Sequence, residues 1–122
     1  MNGETLECSA IVLRAVLRAK NIDRAAKKVL AGAFLLRTFP DGTREAGLSV
    51  SFNLSPAEAA AQFSKCHGIA SLHVGRVRTL ELDVVPDEPN HANILTLPHP
   101  ADDPARAEYF ASRLQEQARL VP

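Results

Sequence analysis

Leu48-Ser49-Val50-Ser51-Phe52-Asn53, followed at once by Leu54-Ser55-Pro56-Ala57-Glu58, is the stretch that decides the fold class. Its first half alternates, with Leu48, Val50 and Phe52 on one side and Ser49 and Ser51 on the other, the period of two that gives a strand one buried and one solvated face. In its second half Ser55 stands as a helix N-cap and Pro56 as the first helical residue. Glu58 is placed to return a hydrogen bond to the backbone N–H of Ser55. A helix is predicted over residues 56–66, with Gly68 positioned to close it. A half-buried strand abutting a capped helix points to an α+β domain.

Working outward, Asp103 and Pro104 open a second helix. Its Ala107, Phe110, Ala111, Leu114, Ala118 and Val121 recur at spacings of three and four and form one apolar stripe. Ile69–Leu72, Leu82–Val85 bounded by Pro86, and Ala92–Leu97 ended by Pro98 read as strands. His73–Leu80 carries Val74, Val77 and Leu80 at helical spacing and reads as a short helix linking two of them. Ala33–Arg37 also reads as a strand, and Pro40-Asp41-Gly42 as the turn that joins it to 48–53 in a hairpin. Residues 11–17 suit a strand by β-branching and a helix by spacing; we read them as a strand. The expected architecture is a small α+β domain, short strands in a sheet with two main helices packed on one face.

With 122 residues, 46% apolar and 23% charged, the chain is the size and composition of one ordinary globular domain, 1–122, with residues 1–10 a candidate disordered tail. Cys8 and Cys66 fit neither a disulfide framework nor a Cys-x-x-Cys motif, so both read as free thiols. Glu4 and Glu7 stand where a secretory leader would carry positive charge, and no apolar run reaches spanning length; the expected location is cytoplasmic, without membrane contact. The 14 basic and 14 acidic side chains cancel overall. Locally they do not: residues 14–45 hold eight bases and three acids, a charge of +5, whereas residues 81–116 hold eight acids and two bases, a charge of −6. We expect the two segments to face each other and cancel; the alternatives are a phosphate-binding patch or a head-to-tail protein contact.

Candidate chemistry is sparse. His67, His73, His91 and His99 show no metal-ligand spacing, so no metal and no resident cofactor is expected. His91, beside the Pro86-Asp87-Glu88-Pro89 turn at the start of a strand, is the candidate acid or base. Ser49 and Ser51, with Arg14 and Arg18 upstream, form a second constellation: hydroxyls facing one way beside a guanidinium can hold a phosphate or a ribose. Ser49 is the catalytic candidate, and Arg14, Arg18 and Ser51 are the ligand-binding candidates. Arg76 and Arg78 are a further pair of cations. There is no phosphate loop and no Gly-x-Gly-x-x-Gly turn. With 5% aromatic residues and no basic recognition helix, nucleic-acid binding is disfavoured. Cys66, close to a helix C-terminus, lacks the setting of a reactive thiolate.

Phe34-Leu35-Leu36-Arg37, Gly47-Leu48-Ser49-Val50, Gly68-Ile69-Ala70-Ser71-Leu72-His73-Val74-Gly75 and His91-Ala92-Asn93-Ile94 together resemble a group of small bacterial proteins, cyanobacterial ones among them, that has no established activity. The resemblance covers about residues 11–121. It implies a bacterial origin and a stand-alone domain, and carries over no catalytic residue. Arg14 or Arg18 and Ser49-Val50-Ser51 also look like two NAD-holding elements of ADP-ribosyltransferase-like folds, although a late catalytic glutamate on a strand is missing. The function expected is a non-enzymatic interaction or regulatory module, binding a protein partner or itself as a homo-oligomer, as in a toxin–antitoxin or defence cassette. The alternative is a small nucleotide- or NAD-processing enzyme using Arg14 or Arg18 to hold phosphate, Ser49 to orient the substrate and His91 as acid or base.

Overall fold

The computed structural model describes residues 6–121. In chain order they form β1 (Ile11–Val16), β2 (Ile22–Asp23), β3 (Lys28–Val29), β4 (Leu48–Ser51), α1 (Pro56–Ala61), β5 (Gly68–His73), α2 (Val74–Arg78), β6 (Asp83–Glu88), β7 (His91–Leu95), α3 (Pro104–Gln117) and β8 (Arg119–Leu120). Short 3-10 turns occupy Ala19–Asn21 and Ala31–Phe34. Six strands make one antiparallel sheet in the order β6-β7-β4-β1-β5-β8, and β2 and β3 form a separate two-stranded ribbon. This is the α+β domain expected.

Strand register sorts the side chains onto two faces. Val12 and Val16 of β1, Leu48 and Val50 of β4, Ala70 and Leu72 of β5, Val84 of β6, and Ala92 and Ile94 of β7 share one face. All are buried, with Ala111 and Leu114 of α3 and Phe34 of the 3-10 turn, in the main core. On the other face α1 packs through Ala59 on Leu13 and Ile69, with Ala15 and Val121 partly buried beside them. The two main helices therefore lie on opposite faces, not on one. Six residues of α1 bury one alanine and cannot cover six strands, so Ile11 and Val85 remain 50% and 37% exposed on that side.

The capping box of α1 forms as read: Glu58 N donates to the Ser55 hydroxyl at 3.1 Å and Ser55 N to the Glu58 carboxylate at 2.9 Å. The helix is nevertheless shorter than residues 56–66. Gln62 and Phe63 bond back to the carbonyls of Ala59 and Ala60 in a tightened last turn, and Gly68 opens β5 instead of closing the helix. In α3 the Asp103 side chain accepts from Arg106 N. The stripe ends at Leu114; beyond it Leu120 pairs opposite Ala70 in β8, and Val121 N donates to the Ile69 carbonyl.

Two expectations of the first third fail. Ala33–Arg37 is no strand: β4 and β5 already flank β1 in the sheet, and Ala31–Phe34 winds into a 3-10 turn that delivers Phe34 to the core. Nor do 33–37 and 48–53 make a hairpin. Pro40-Asp41-Gly42 does turn the chain, with Gly42 at φ 89°, yet the loop closes through one bridge, Thr38 to Arg44, and β4 pairs with β1 and β7 instead. At the front of the chain Leu6 belongs to the core, and the carbonyls of Cys8 and Ala10 accept from Gly75 N and Val74 N, which anchors residues 6–10. The rest of the expected tail, residues 1–5, lies outside the described residues. No helix among the described residues is long and apolar enough to cross a membrane.

Candidate anion-binding site

β1 and β4 are bridged at one position, Leu13 opposite Ser51. The opening below this bridge is closed by a side chain. Arg14, on the core face of β1, donates from Nη1 to the Ser49 carbonyl at 2.9 Å and from Nε to the Ala33 carbonyl at 3.0 Å. It is 8% exposed. Burial pushes its pKa down to about 10; nearby Glu45 works against the shift and nearby Arg37 adds to it. A cation held there costs on the order of 3 kcal/mol relative to water, taking the shift at its conversion of about 1.4 kcal/mol per unit. Two carbonyl dipoles and one carboxylate do not fully repay it.

Arg14 is also the floor of a cavity of about 290 Å³ between the end of β1 and the Ala31–Thr38 segment. Its Nη2 makes no hydrogen bond among the described residues. Arg18, Lys20 and Arg37 line the same cavity, together with Asn21, Thr38, Gly32 and an apolar wall that includes Val16, Leu17, Leu35 and Leu36. No aspartate or glutamate lines it. Arg37 is held from the side by the buried Glu45, whose carboxylate accepts from the Arg37 backbone N at 2.7 Å, from Nε at 3.2 Å and from Nη2 at 3.4 Å. The Arg37 guanidinium also lies 5.7 Å from the centre of the Phe39 ring. Arg18 and Lys20 are exposed and have no ion-pair partner among the described residues. The rim is thus cationic and the floor is a desolvated guanidinium.

The cavity holds a single hydroxyl-bearing side chain, that of Thr38, 3.1 Å from Nε2 of His99. Nδ1 of His99 accepts from Ala101 N at 3.0 Å, which assigns the ring proton to Nε2. The imidazole therefore donates to Thr38 and has no lone pair with which to take its proton.

The remaining candidates lie elsewhere. Arg14 and Arg18 come together in the cavity, but Ser49 and Ser51 project from the opposite sheet face, opposite Asn93 and His91 respectively. The expected cradle of two hydroxyls beside a guanidinium does not form: Arg14 meets Ser49 only through the backbone carbonyl. The NAD-holding arrangement suggested by the second resemblance fails for the same reason. Alternation sends Arg14, one residue after Leu13, to the other side of the sheet. Ser49 and His91 are diagonal neighbours on adjacent strands, and Ser51 is the residue directly opposite His91. The Ser51 hydroxyl donates to the Gln62 side chain at 3.2 Å. His91 Nδ1 lies 2.5 Å from the Asp87 carboxylate, which also accepts from Asn93 Nδ2 at 2.9 Å. Asp87 reaches both because it sits in a bulge between Pro86 and Glu88.

The two charged segments touch where α3 packs against the Ala31–Phe34 turn, but their charges pair little. Arg44 to Asp102, at 2.7 Å, is the single ion pair joining them among the described residues. Asp83, Asp87 and Glu88 crowd the β6 edge of the sheet, while Lys27, Lys28 and Arg119, with the single acid Glu116, line a second cavity of about 490 Å³ at the β8 edge. Lys20 and Arg37 were missed as site residues in the sequence. The surplus of bases over 14–45 marked the region, but only the fold shows which of them converge.

No protein-family model, curated protein or solved structure gives a significant match to the chain.

Proposed function

We propose that the protein is a small non-enzymatic binding module that captures an anionic small molecule in the cavity floored by Arg14. One observation carries the reading: a buried guanidinium with an uncommitted Nη2 faces a cavity whose other charged lining residues are all cationic. An anion there recovers electrostatic energy that the empty fold leaves unrealised. Binding without turnover is supported by the cavity lining, which offers no carboxylate, thiol or imidazole to act as nucleophile or base. The free thiols of Cys8 and Cys66 support a reducing, cytoplasmic setting.

The test is thermal unfolding against rising sodium phosphate or sulfate, with sodium chloride at matched ionic strength as control. Ligand linkage raises Tm with oxyanion concentration in the wild type, and Arg18→Gln with Lys20→Gln flattens the response. Equal effects of chloride and oxyanions on the wild type would sink the reading.

A second reading, head-to-tail association of copies, rests on the acidic β6 edge and the basic β8 edge lying at opposite ends of one sheet. Sedimentation at low and high salt tests it. A mass that stays monomeric at low salt, or one that Lys27→Glu and Lys28→Glu together leave unchanged, removes it.

A further inference from the structure

Resting on the anion-binding reading above, we infer that the ligand is a short-chain phosphomonoester, its dianionic phosphoryl group on Arg14, Arg18 and Lys20 and its uncharged organic part against Leu17, Leu35 and Leu36. The argument is one of charge, shape and size. Of the four cations at the cavity, Arg37 is already matched by Glu45, with which it makes two side-chain contacts and one backbone contact. Arg14, Arg18 and Lys20 have no carboxylate hydrogen-bonded to them among the described residues. Three unmatched positive charges are served better by a dianion than by a carboxylate or a phosphodiester, each of which carries one negative charge. With Nε and Nη1 of Arg14 held by carbonyls, its free Nη2 on the floor offers N–H donors to the phosphoryl group, and the flexible Lys20 ammonium supplies a point charge at the rim.

The cavity, about 290 Å³ and open to solvent on one side, has room for a phosphoryl group together with a short organic fragment. The surface that fragment meets is aliphatic, with the Asn21 carboxamide and the Thr38 hydroxyl as neutral hydrogen-bonding groups. An oligophosphate would set its additional charges against this aliphatic wall, and inorganic phosphate alone would leave the wall uncovered.

Calorimetric titration of the intact protein with glycerol 3-phosphate, inorganic phosphate, dimethyl phosphate and lactate, at pH 7.5 and pH 5, separates these classes. Glycerol 3-phosphate should bind at least about tenfold more tightly than the other three at pH 7.5. It should weaken about tenfold at pH 5, where a phosphomonoester with a second pKa near 6 is largely a monoanion. Lactate stays a monoanion over that range, so it isolates any pH dependence that belongs to the site itself, where Glu45 lies beside Arg37 and His99 beside Thr38. Arg18→Gln and Lys20→Gln, both at exposed positions, should each reduce affinity for glycerol 3-phosphate about tenfold with Tm unchanged. If lactate or dimethyl phosphate binds as tightly as the ester, or the ester shows no greater pH dependence than lactate, the phosphomonoester assignment is overturned while an anion site stands. If inorganic phosphate matches glycerol 3-phosphate, the organic part of the assignment is overturned. If none of the four binds, both the assignment and the anion-binding reading fall.

Discussion

Arg14 and Ser49 meet across the opening between β1 and β4 through a guanidinium donating to a main-chain carbonyl at 2.9 Å, while the Ser49 hydroxyl points away on the other face of the sheet. The contact ties structure to binding. The same guanidinium that completes the sheet where the strands part also forms the charged floor of the cavity.

Replacing Arg14 tests the structural half of that role. Arg14→Met keeps the length of the side chain but leaves the carbonyls of Ala33 and Ser49 without their donors. Two carbonyls left unpaired inside the protein cost more than relief of the buried charge returns, so a destabilisation of about 2 kcal/mol is expected. Urea unfolding with an unchanged m-value measures it; a variant as stable as the wild type would mean that the opening closes without Arg14.

Ser49 and His91 provide the opposite test. Both lie on the sheet face away from the cavity, so Ser49→Ala and His91→Ala should leave oxyanion affinity within about twofold of wild type, as independent sites do. A tenfold loss in either would restore them to the binding site and count against the cavity.

Asp87 links stability to pH. Partial burial alone would raise its pKa, but hydrogen bonds from His91 and Asn93 and the field of His91 hold it below the ordinary aspartate value. A carboxylate whose pKa is lowered by folding stabilises the protein above its unfolded value, about 3.9, and the benefit disappears as pH falls through the folded value. Because the Asp87 side chain is 43% exposed, solvent screening limits the effect to less than about 1 kcal/mol. The Tm gap between wild type and Asp87→Asn should therefore be small at pH 7 and narrow as pH falls below 4. A gap unchanged over that range would assign it to packing instead of charge.

Gly32 lets the Asn21 side chain lie directly against the backbone at the cavity wall. A Cβ at this position would collide with the Asn21 carboxamide, whose flexible end can move. Gly32→Ala should fold normally, displace that carboxamide and weaken oxyanion binding several-fold. Unchanged affinity would remove Asn21 from the site.

Thr96, just after β7, holds φ at 78°, a conformation costly for a β-branched residue. Its side chain is exposed and makes no hydrogen bond among the described residues, so Thr96→Gly should raise stability by about 1 kcal/mol. A loss of stability in thermal unfolding would reveal a contact that compensates the strain.

The elements governed by local chemistry were legible in the sequence. Ser55, Pro56 and Glu58 define the start of α1, Asp103 and Pro104 that of α3, and alternation through Leu48–Phe52 identifies β4 and its buried face, because a cap or a period of two is satisfied by residues only a few positions apart. Strand order was not legible. Nothing within Ala33–Arg37 reveals that β4 and β5 have already taken both sides of β1, and nothing within Arg119–Leu120 reveals the edge of β5 that those two residues complete. The site divided the same way. A surplus of bases between Arg14 and Arg44 is a property of the sequence, whereas the parity that puts Arg14 on one face and the Ser49 hydroxyl on the other depends on the register Leu13 to Ser51. Only the folded sheet fixes that register, since it is set by which strands bury their apolar faces together, and it assigned Arg14 and Arg18 to a cavity with Lys20 and Arg37 while leaving Ser49 and His91 outside it.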